Sequence, residues 1–390
     1  MTINKNLTLE GLGESLTTII GNNTRIFTIN SGATVNISNL KLQSGGIHNN
    51  GTLTISNSTI QSSKVTGNGG ALYNTGTLTV NDSTLVGNSA NANSNGGGVG
   101  GAIYNVGTLT VNSSTLTNNS SVHACANFNC LYTGGEAGAI YSNGTATLNH
   151  STLNDNSASG YHGGGIYNHT GIFTINDSTL SGNTTRVNGG GIFNNAGELA
   201  INNVTLSDGT AIDGGGVYNK DGDLVISNST LSNNSTTHSG GSIYHIGSGT
   251  MNVRNSTLSG NSALGESSGL GGGAIYSAAT ALILNSTIVN NSALGVGGGI
   301  WNTVPLSIGN SIVVGNTAPT GKEIRSNGTL NSLGHNLFGE NAEAGLEGAD
   351  SVASDLILAG SMTTAIAPLA DNGGPTPTHM LLPGSPAIDA

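Results

Sequence analysis

Three aspartates surround one glycine-rich stretch of this chain. Asp221 and Asp223 flank Gly222, and Asp213 precedes the motif Gly214-Gly215-Gly216. A glycoside hydrolase needs two carboxylates that face one sugar bond, and calcium needs a larger set of oxygen ligands. These aspartates are therefore the candidate carboxylates for hydrolysis and weak candidates for a metal site. The sequence favours the simpler interpretation that they are solvated turn residues.

The nine histidines are spread singly along the chain. His162, His169, His238 and His245 recur on what should be one side of neighbouring repeats, so a pair of them could meet by stacking. His245 occupies a position that is asparagine in other repeats, which favours a structural role. The sequence contains no zinc signature, nucleophile elbow or phosphate-binding loop. We therefore predict no cofactor, no metal and no catalytic residue.

Cys125 and Cys130 are the only cysteines, and both lie in one insertion. Their spacing would allow a small disulfide, which would imply an oxidising compartment. The alternative is two free buried thiols. No second pair of thiols or suitably spaced histidines accompanies them, so they do not indicate a zinc site.

An aromatic residue recurs one position after an aliphatic residue in successive repeats. Strand alternation predicts that these rings point outward, beside small residues such as Ala102 and Gly191. They could stack on sugar rings or contact another protein. Alternatively, they stack on one another and shield the sheet. The stripe consists of Tyr73, Tyr104, Tyr141, Tyr167, Phe193, Tyr218, Tyr244, Tyr276 and Trp301.

The repeat that places these residues has a period in the twenties. From Tyr141 to Tyr244 the aromatic positions are separated by 26, 26, 25 and 26 residues. Each repeat contains three short alternating runs, for example residues 101–105, 108–111 and 114–116, which are typical of strands. Stacked copies predict an all-β fold, a right-handed parallel β-helix with three sheets. The chain should form about 12 coils of this kind.

Aliphatic residues recur at fixed positions and should line the interior. The first strand contributes Ile103 and Ile166, and the later strands contribute residues such as Leu109 and Leu116. Asparagines recur at two corners, for example Asn105 after the first strand, where they suit left-handed turns and can bond amide to amide. These asparagines are predicted to be structural.

Departures from the period locate the loops and the ends. Insertions lie near residues 91–98, 121–136 and 264–270, all before a glycine motif, so they should emerge on one side. We predict a β-helix domain over residues 1–339. Residues 340–390 carry five of the seven prolines and are predicted to form an irregular cap over the open end.

Composition limits the partners. The formal net charge is −11 and the nine Lys and Arg residues are scattered, so neither nucleic acid nor an anionic membrane is an expected partner. No segment is apolar over the roughly 18 residues that a membrane helix requires. We expect a monomer whose targeting and anchoring signals lie outside this chain.

Several motifs resemble known surface proteins. Gly272-Gly273-Ala274-Ile275 and Leu258-Ser259-Gly260-Asn261 are similar to repeats of the polymorphic outer membrane proteins. The segments 332–337, 369–379 and 383–389 resemble the end of the "choice-of-anchor Q" bacterial surface proteins, and this likeness covers nearly the whole chain. The resemblance implies a secreted or surface-anchored β-helix and no established reaction.

The sequence therefore favours a noncatalytic, adhesin-like scaffold outside the cell or on a bacterial surface. Its loops and aromatic stripe would contact glycans or surface proteins of a host or neighbouring cell. The alternative is a polysaccharide-degrading lyase or glycoside hydrolase, which grouped acids beside the insertions would favour. A purely mechanical spacer is a third possibility.

Overall fold

The computed structural model describes residues 1–92, 98–123, 134–267 and 269–388. The chain forms two compact units, Met1–Glu198 and Leu199–Ala390, which are considered separately. Within the described residues both units consist almost entirely of short strands, and the only helical element is the 3₁₀ turn Met362–Thr364. Successive coils pair in parallel and in register. The predicted parallel β-helix is confirmed.

Most coils contain a fourth short strand besides the three predicted ones. Copies of one strand form what we call a ladder. In the N-terminal unit two long strands, Thr18–Ile29 and Lys41–Asn49, belong to both the first and the third ladder. The short strand Thr2–Ile3 pairs with the end of Thr18–Ile29. The first ladder continues with Leu72–Asn74, Ile103–Asn105, Ile140–Ser142, Ile166–Asn168 and Ile192–Asn195. The second contains Leu7–Glu10, Thr34–Ser38, Thr52–Ser56, Thr77–Asn81, Thr108–Asn112, Thr145–Asn149 and Ile172–Asn176.

The third ladder of this unit continues with Thr59–Gln61, Thr84–Val86, Thr115–Thr117, Thr152–Asn154 and Thr179–Ser181. The fourth contains Lys64–Thr66, Ser89–Asn91, Ser120–Val122, Ser157–Ala158 and Thr184–Thr185. Because Lys41–Asn49 pairs with Thr59 through Lys41 and with Leu72 through Ile47, the first and third ladders form one sheet. The N-terminal unit therefore has three parallel sheets, the predicted number, but the first and third strands share one sheet and the fourth strand forms another. The fourth strand was missed because two or three residues are too short to show alternation.

The C-terminal unit repeats the pattern. Its first ladder contains Val217–Lys220, Ile243–Ile246, Ile275–Ala278, Ile300–Asn302, Ile324–Ser326 and Leu346–Glu347. Its second contains Asp223–Ser227, Met251–Arg254, Ala281–Leu284, Leu306–Gly309 and Leu330–Ser332, while the strand Glu198–Asn202 includes the boundary between the units. Its third contains Thr205–Ser207, Thr230–Ser232, Thr257–Ser259, Thr287–Val289, Ile312–Val314, Leu337–Phe338 and Leu356–Ile357. Its fourth contains Thr210–Ala211, Ser235–Thr236, Ser262–Ala263 and Ser292–Ala293.

Aliphatic side chains fill the interior, as predicted. Ile103 pairs with Leu72 on one side and Ile140 on the other, and Ile103 and Ile166 are 0% exposed. Burying one such side chain is worth roughly 1.5–3 kcal/mol. Each coil contributes several of them, so the register of a coil is set by its neighbours.

The paired glycines before the first strand have two different functions. Gly163 has a φ of 68°, a left-handed conformation that side chains rarely adopt. Gly164 lies against the next coil, where a Cβ atom would collide with the carbonyl oxygen of Gly190. The glycine motif therefore allows both the turn and the close approach of neighbouring backbones.

Asparagine ladders run along the coil axis, as predicted. The Nδ2 of Asn88 donates to Asn119 Oδ1, that of Asn119 to Asn156 Oδ1, and that of Asn156 to Asn183 Oδ1, each at 3.0 Å. Each Nδ2 also donates to a main-chain carbonyl, for example Asn156 to Leu116 O. These buried amides satisfy backbone groups at the corners.

The C-terminal segment differs from the expected cap. Leu346–Glu347 and Leu356–Ile357 pair with the preceding coil, so the coil continues beyond the predicted boundary at residue 339. The antiparallel hairpin of Ile366–Ala370 and Thr378–Leu381 then folds back along the third ladder. Ala365 and Ile366 pack in one cluster with Val289, Val314, Leu337 and Leu358. The hairpin thus covers a side of the coil, whereas the sequence placed this segment over the open end.

Candidate ligand-contact sites

The aromatic residues of the N-terminal unit stack on one another. Parallel register places Tyr73, Tyr104 and Tyr141 at one strand position. Their ring centroids are 4.9 and 5.0 Å apart and the planes are inclined by 24° and 7°. Tyr167 then turns its ring edge-on to Tyr141 at 5.2 Å and to Phe193 at 4.9 Å. The strand spacing of the fold therefore sets the spacing of the rings.

A second stack forms within the C-terminal unit. The ring centroids of Tyr218 and Tyr244 are 4.8 Å apart, and those of Tyr244 and Tyr276 are 4.6 Å apart. Trp301 follows Tyr276 at 4.7 Å with a tilt of 58°. Aromatic pairs at such distances stabilise each other beyond their buried area.

Stacking leaves ring edges, and not ring faces, for a ligand. Tyr73, Tyr104, Tyr141, Tyr244 and Tyr276 are half-buried. The remaining rings, Tyr167, Phe193, Tyr218 and Trp301, are buried. The alternative in which the rings shield the sheet is thus observed, and a sugar ring has no free tyrosine face between adjacent coils. Contacts would have to use hydroxyl groups and ring edges.

Burial also determines the acidity of these phenols. It raises the pKa of Tyr104, Tyr141, Tyr167, Tyr244 and Tyr276, and it raises the pKa of Tyr218 to about 12. The stacked phenols are therefore neutral at physiological pH and can donate hydrogen bonds.

The first end of the N-terminal stack carries a cation that sequence analysis missed. The guanidinium carbon of Arg25 lies 6.0 Å from the centroid of Tyr73, a distance typical of a cation–π contact. Arg25 Nη2 donates to the carbonyl of Asn68 at 2.5 Å, and His48 packs edge-on against Tyr73 at 4.6 Å. Burial lowers the pKa of Arg25 to about 10.

Glu136 is a second residue that sequence analysis missed. Burial raises the pKa of its carboxyl group to about 7, and the nearby His123 partly opposes this shift. Besides burial, its charge raises the pKa of Tyr141 and Tyr167. The Tyr167 hydroxyl lies 3.2 Å from His169 Nδ1. Glu136 therefore interacts electrostatically with His123, Tyr141 and Tyr167, and Tyr167 contacts His169.

The place of Glu136 within its repeat could have identified it from the sequence. It precedes Ala137-Gly138-Ala139, the counterpart of the glycine motif Gly163-Gly164-Gly165 in the next repeat. We call this the pre-glycine position. His162 and Asn188 occupy this position in their repeats and pair by a parallel bridge, and Asp213 occupies it in the C-terminal unit. Asp213 also lies near its aromatic stack, since its charge contributes to the raised pKa of Tyr218 and Tyr244. The pre-glycine position therefore borders the stack in both units.

The three candidate aspartates do not form one site. Asp213 precedes the strand Val217–Lys220 and accepts a hydrogen bond from Ser239 N at 3.0 Å. Asp221 and Asp223 follow that strand and accept from Ser248 N at 3.1 Å and Thr250 N at 2.9 Å.

The environments of these aspartates differ accordingly. Burial raises the pKa of Asp213, and hydrogen bonds from the Thr250 main chain and side chain lower the pKa of Asp223. Each carboxylate thus bonds main-chain donors of the following coil. Within the described ranges, no group of three or more His, Cys, Asp or Glu residues could hold a metal ion.

The histidines that the sequence placed on one side of neighbouring repeats contact other residues and not one another. His162 stacks on Phe193 at 4.1 Å, and both His162 and His169 lie edge-on to Tyr167. Tyr167 therefore lies between this pair. His238 Nδ1 is 3.9 Å from Asp213 Oδ2.

His245 belongs to the corner ladder, as its position indicated. Its Nδ1 lies 3.0 Å from Asn219 Nδ2 and its Nε2 lies 3.2 Å from the carbonyl of Thr280. Because an amide nitrogen donates and a carbonyl accepts, the proton is on Nε2. Burial lowers the pKa of His245, which is consistent with a neutral structural ring.

The predicted disulfide of Cys125 and Cys130 lies outside the described residues.

Comparison with known proteins identified no matching family model and no matching curated protein. In the parts of the chain that the structure describes, no helix is long and apolar enough to cross a membrane.

Proposed function

We propose that this chain is a noncatalytic β-helix scaffold, located outside the cell or on a bacterial surface, that contacts glycans or proteins. The supporting observation is the edge of the N-terminal aromatic stack. There, the half-buried Tyr141 interacts electrostatically with Glu136 and stacks on the half-buried Tyr104, while Tyr167 bonds His169. Phenol, carboxyl and imidazole groups exchange hydrogen bonds with sugar hydroxyls and protein main chains. Aromatic edges supply apolar contact area beside them.

A rigid support is a further reason for this proposal. The main chains of successive coils pair in register, and buried asparagines connect the corners. Ordered positions reduce the entropy lost on binding. A surface of this kind presents fixed side chains without requiring a catalytic centre.

The decisive experiment removes hydroxyl groups without removing rings. A Tyr104→Phe, Tyr141→Phe double variant keeps both rings in the stack and should retain the melting temperature. We expect its affinity for any glycan or surface protein bound by the native chain to fall by about fivefold or more, as expected for lost hydrogen bonds. Binding would be measured on glycan and protein arrays and then by calorimetry.

Tyr218→Phe is the matched control, because its ring is stacked and buried in the other unit. It should bind as the native chain does. The proposal that this stack contacts a ligand would be contradicted if the native chain bound nothing on the arrays. It would also be contradicted if the double variant bound with native affinity. Such results would favour a mechanical spacer.

One observation favours the alternative of a polysaccharide-active enzyme. The pKa of Glu136, about 7, suits a group that exchanges protons near neutral pH. Burial and His123 set this pKa, and the Glu136 charge in turn acts on Tyr141 and Tyr167. None of these partners is a second carboxylate, whereas glycoside hydrolysis uses two. Product release from a panel of polysaccharides, abolished by Glu136→Gln, would establish the enzyme and overturn the scaffold.

The proposed location rests on the terminal motifs that resemble choice-of-anchor Q proteins. We also propose that the chain acts as a monomer. Protease treatment of intact producing cells should remove the protein if it is displayed, while a cytoplasmic marker stays intact. Analytical ultracentrifugation of the purified chain would determine whether it associates.

A further inference from the structure

A cavity opens on a different corner of the C-terminal unit, between the coil and its hairpin. Its volume is about 270 Å³. Asn285, Asn310 and His335 lie on its coil side, each just after a second-ladder strand or at the equivalent corner, with φ values of 51°, 48° and 59°. Leu381 and Ala387 lie on the hairpin side. The cavity exists because the hairpin folds back along the coil.

The polar wall is the end of an outward-facing amide ladder. Asn285 Nδ2 donates to Asn255 Oδ1 at 3.2 Å, and Asn310 Nδ2 donates to Asn285 Oδ1 at 2.8 Å. Asn310 is the last asparagine of this ladder, and the exposed His335 occupies the same corner one coil later. An amide and an imidazole offer both donors and acceptors to a ligand.

The remaining walls are apolar or neutral. Ile312, Leu337 and Leu381 line the cavity, and His379 contributes an imidazole whose nitrogens are already engaged. Its Nδ1 lies 2.7 Å from the Ala367 carbonyl and its Nε2 lies 3.0 Å from Ser259 Oγ. Because the carbonyl accepts a hydrogen bond, Nδ1 carries the proton and Nε2 accepts. Among the described residues that line the cavity, none is Asp, Glu, Lys or Arg.

We propose that this cavity binds one neutral sugar unit, as a free monosaccharide or as the end of a glycan. Asn310 and His335 would bond its hydroxyl groups, and the aliphatic wall would contact its C–H face. The volume lies just below the usual range of small-molecule sites, so it suits a single ring and not a chain of rings.

Other ligand classes fit the lining less well. A phosphate or carboxylate would find no cationic partner, and a metal ion would find only imidazoles and neutral oxygens. An apolar ligand would leave the amide wall without hydrogen-bond partners, which costs binding energy. The site uses the second and third ladders, whereas the aromatic stack uses the first. The proposal is therefore independent of the function proposed above.

The test titrates the full chain with neutral monosaccharides, using saturation-transfer NMR and calorimetry. Glucose, galactose, mannose and N-acetylglucosamine form the panel, with glucuronate and Zn²⁺ as competing classes. We expect one neutral sugar to bind with a dissociation constant of about 1–10 mM, as suits a small ligand held by few contacts. Ala387→Phe, which fills the cavity, should abolish this binding.

Asn310→Ala should weaken binding by about tenfold, as expected for lost hydrogen bonds to the ligand. Asn228→Ala is its control, because Asn228 lies further along the same ladder with a similar φ of 50° and neither lines the cavity nor bonds a residue that does. It therefore carries the same backbone strain and should bind normally. Absence of neutral-sugar binding, stronger binding of glucuronate or Zn²⁺, or native affinity in Ala387→Phe would overturn the proposal.

Discussion

Buried polar side chains determine the local chemistry of this protein at the residue scale. In the C-terminal unit an asparagine ladder runs from Asn234 through Asn261 and Asn291 to Asn316. It ends at Glu323, which accepts from Asn316 Nδ2 at 2.5 Å and is 2% exposed. Burial raises the pKa of Glu323 to about 8, although hydrogen bonds from Asn316 oppose the shift. A protonated glutamate therefore continues a row of neutral amides.

Glu323→Gln should remove a pH dependence of stability. The pKa of Glu323 in the folded state lies above the usual glutamate value of 4.5, so the folded state binds the extra proton. Stability from this group is complete below pH 4.5 and decreases as pH rises to about 8. The glutamine variant should be more stable above pH 8, by up to about 1.4 kcal/mol per unit of pKa shift. Urea unfolding across this pH range measures the difference.

Glu343→Gln is the control for this measurement. Glu343 is exposed and pairs with Lys322 at 3.1 Å, a contact worth less than about 1 kcal/mol. The Glu343→Gln variant should keep the pH dependence of the free energy of unfolding that the native chain has. If Glu323→Gln also kept the native pH dependence of unfolding, the conclusion that Glu323 is protonated in the folded state would be contradicted.

Ladders are the units that carry stability at the element scale. Stacked rings, aliphatic side chains and corner amides each repeat along one strand position, so every coil satisfies groups of its neighbours. Asn156 illustrates this coupling, because its amide serves Leu116 O, Asn119 and Asn183. Losing this amide removes hydrogen bonds from polar groups of both neighbouring coils.

Asn156→Ala should therefore cost about 2–4 kcal/mol, since unsatisfied buried groups add to the lost hydrogen bonds. Asn36→Ala, at an exposed position of the strand Thr34–Ser38, should change stability by less than about 0.5 kcal/mol. Chemical denaturation monitored by circular dichroism compares the two variants. Equal stabilities would show that the amide ladder contributes little.

Long-range packing of the C-terminal hairpin matters at the scale of the whole molecule. Thr230 Oγ1 donates to the carbonyl of Pro377 at 2.5 Å, and Thr376 Oγ1 donates to that of Asn228 at 3.3 Å. The hairpin also buries Ile366 against the third ladder. These contacts attach the end of the C-terminal unit to coils formed early in that unit, and they create the proposed sugar cavity.

Ile366→Asp should release the hairpin without unfolding the coil. Burying a carboxylate in the apolar cluster would cost about 3 kcal/mol or more. Hydrogen exchange at Thr378–Leu381 should then accelerate by roughly 100-fold, while Ile300–Asn302 keeps its protection. Met380→Asp, at an exposed position of the same hairpin, is the control and should have no effect. Loss of protection in both regions of Ile366→Asp would indicate that the hairpin and coil unfold together.

The sequence by itself determined the repeating part of this protein. Ile103, Asn105 and Tyr104 recur at one period, and a period fixes which residues pair in neighbouring coils. The fourth strand was too short to show a pattern. The tertiary structure alone decided that adjacent aromatic rings stack on one another and that Asp213 lies apart from Asp221. It also decided the path of the hairpin, because the contact of Thr230 with Pro377 joins residues 147 positions apart. No local spacing encodes such a contact, since it depends on packing after the coil has formed.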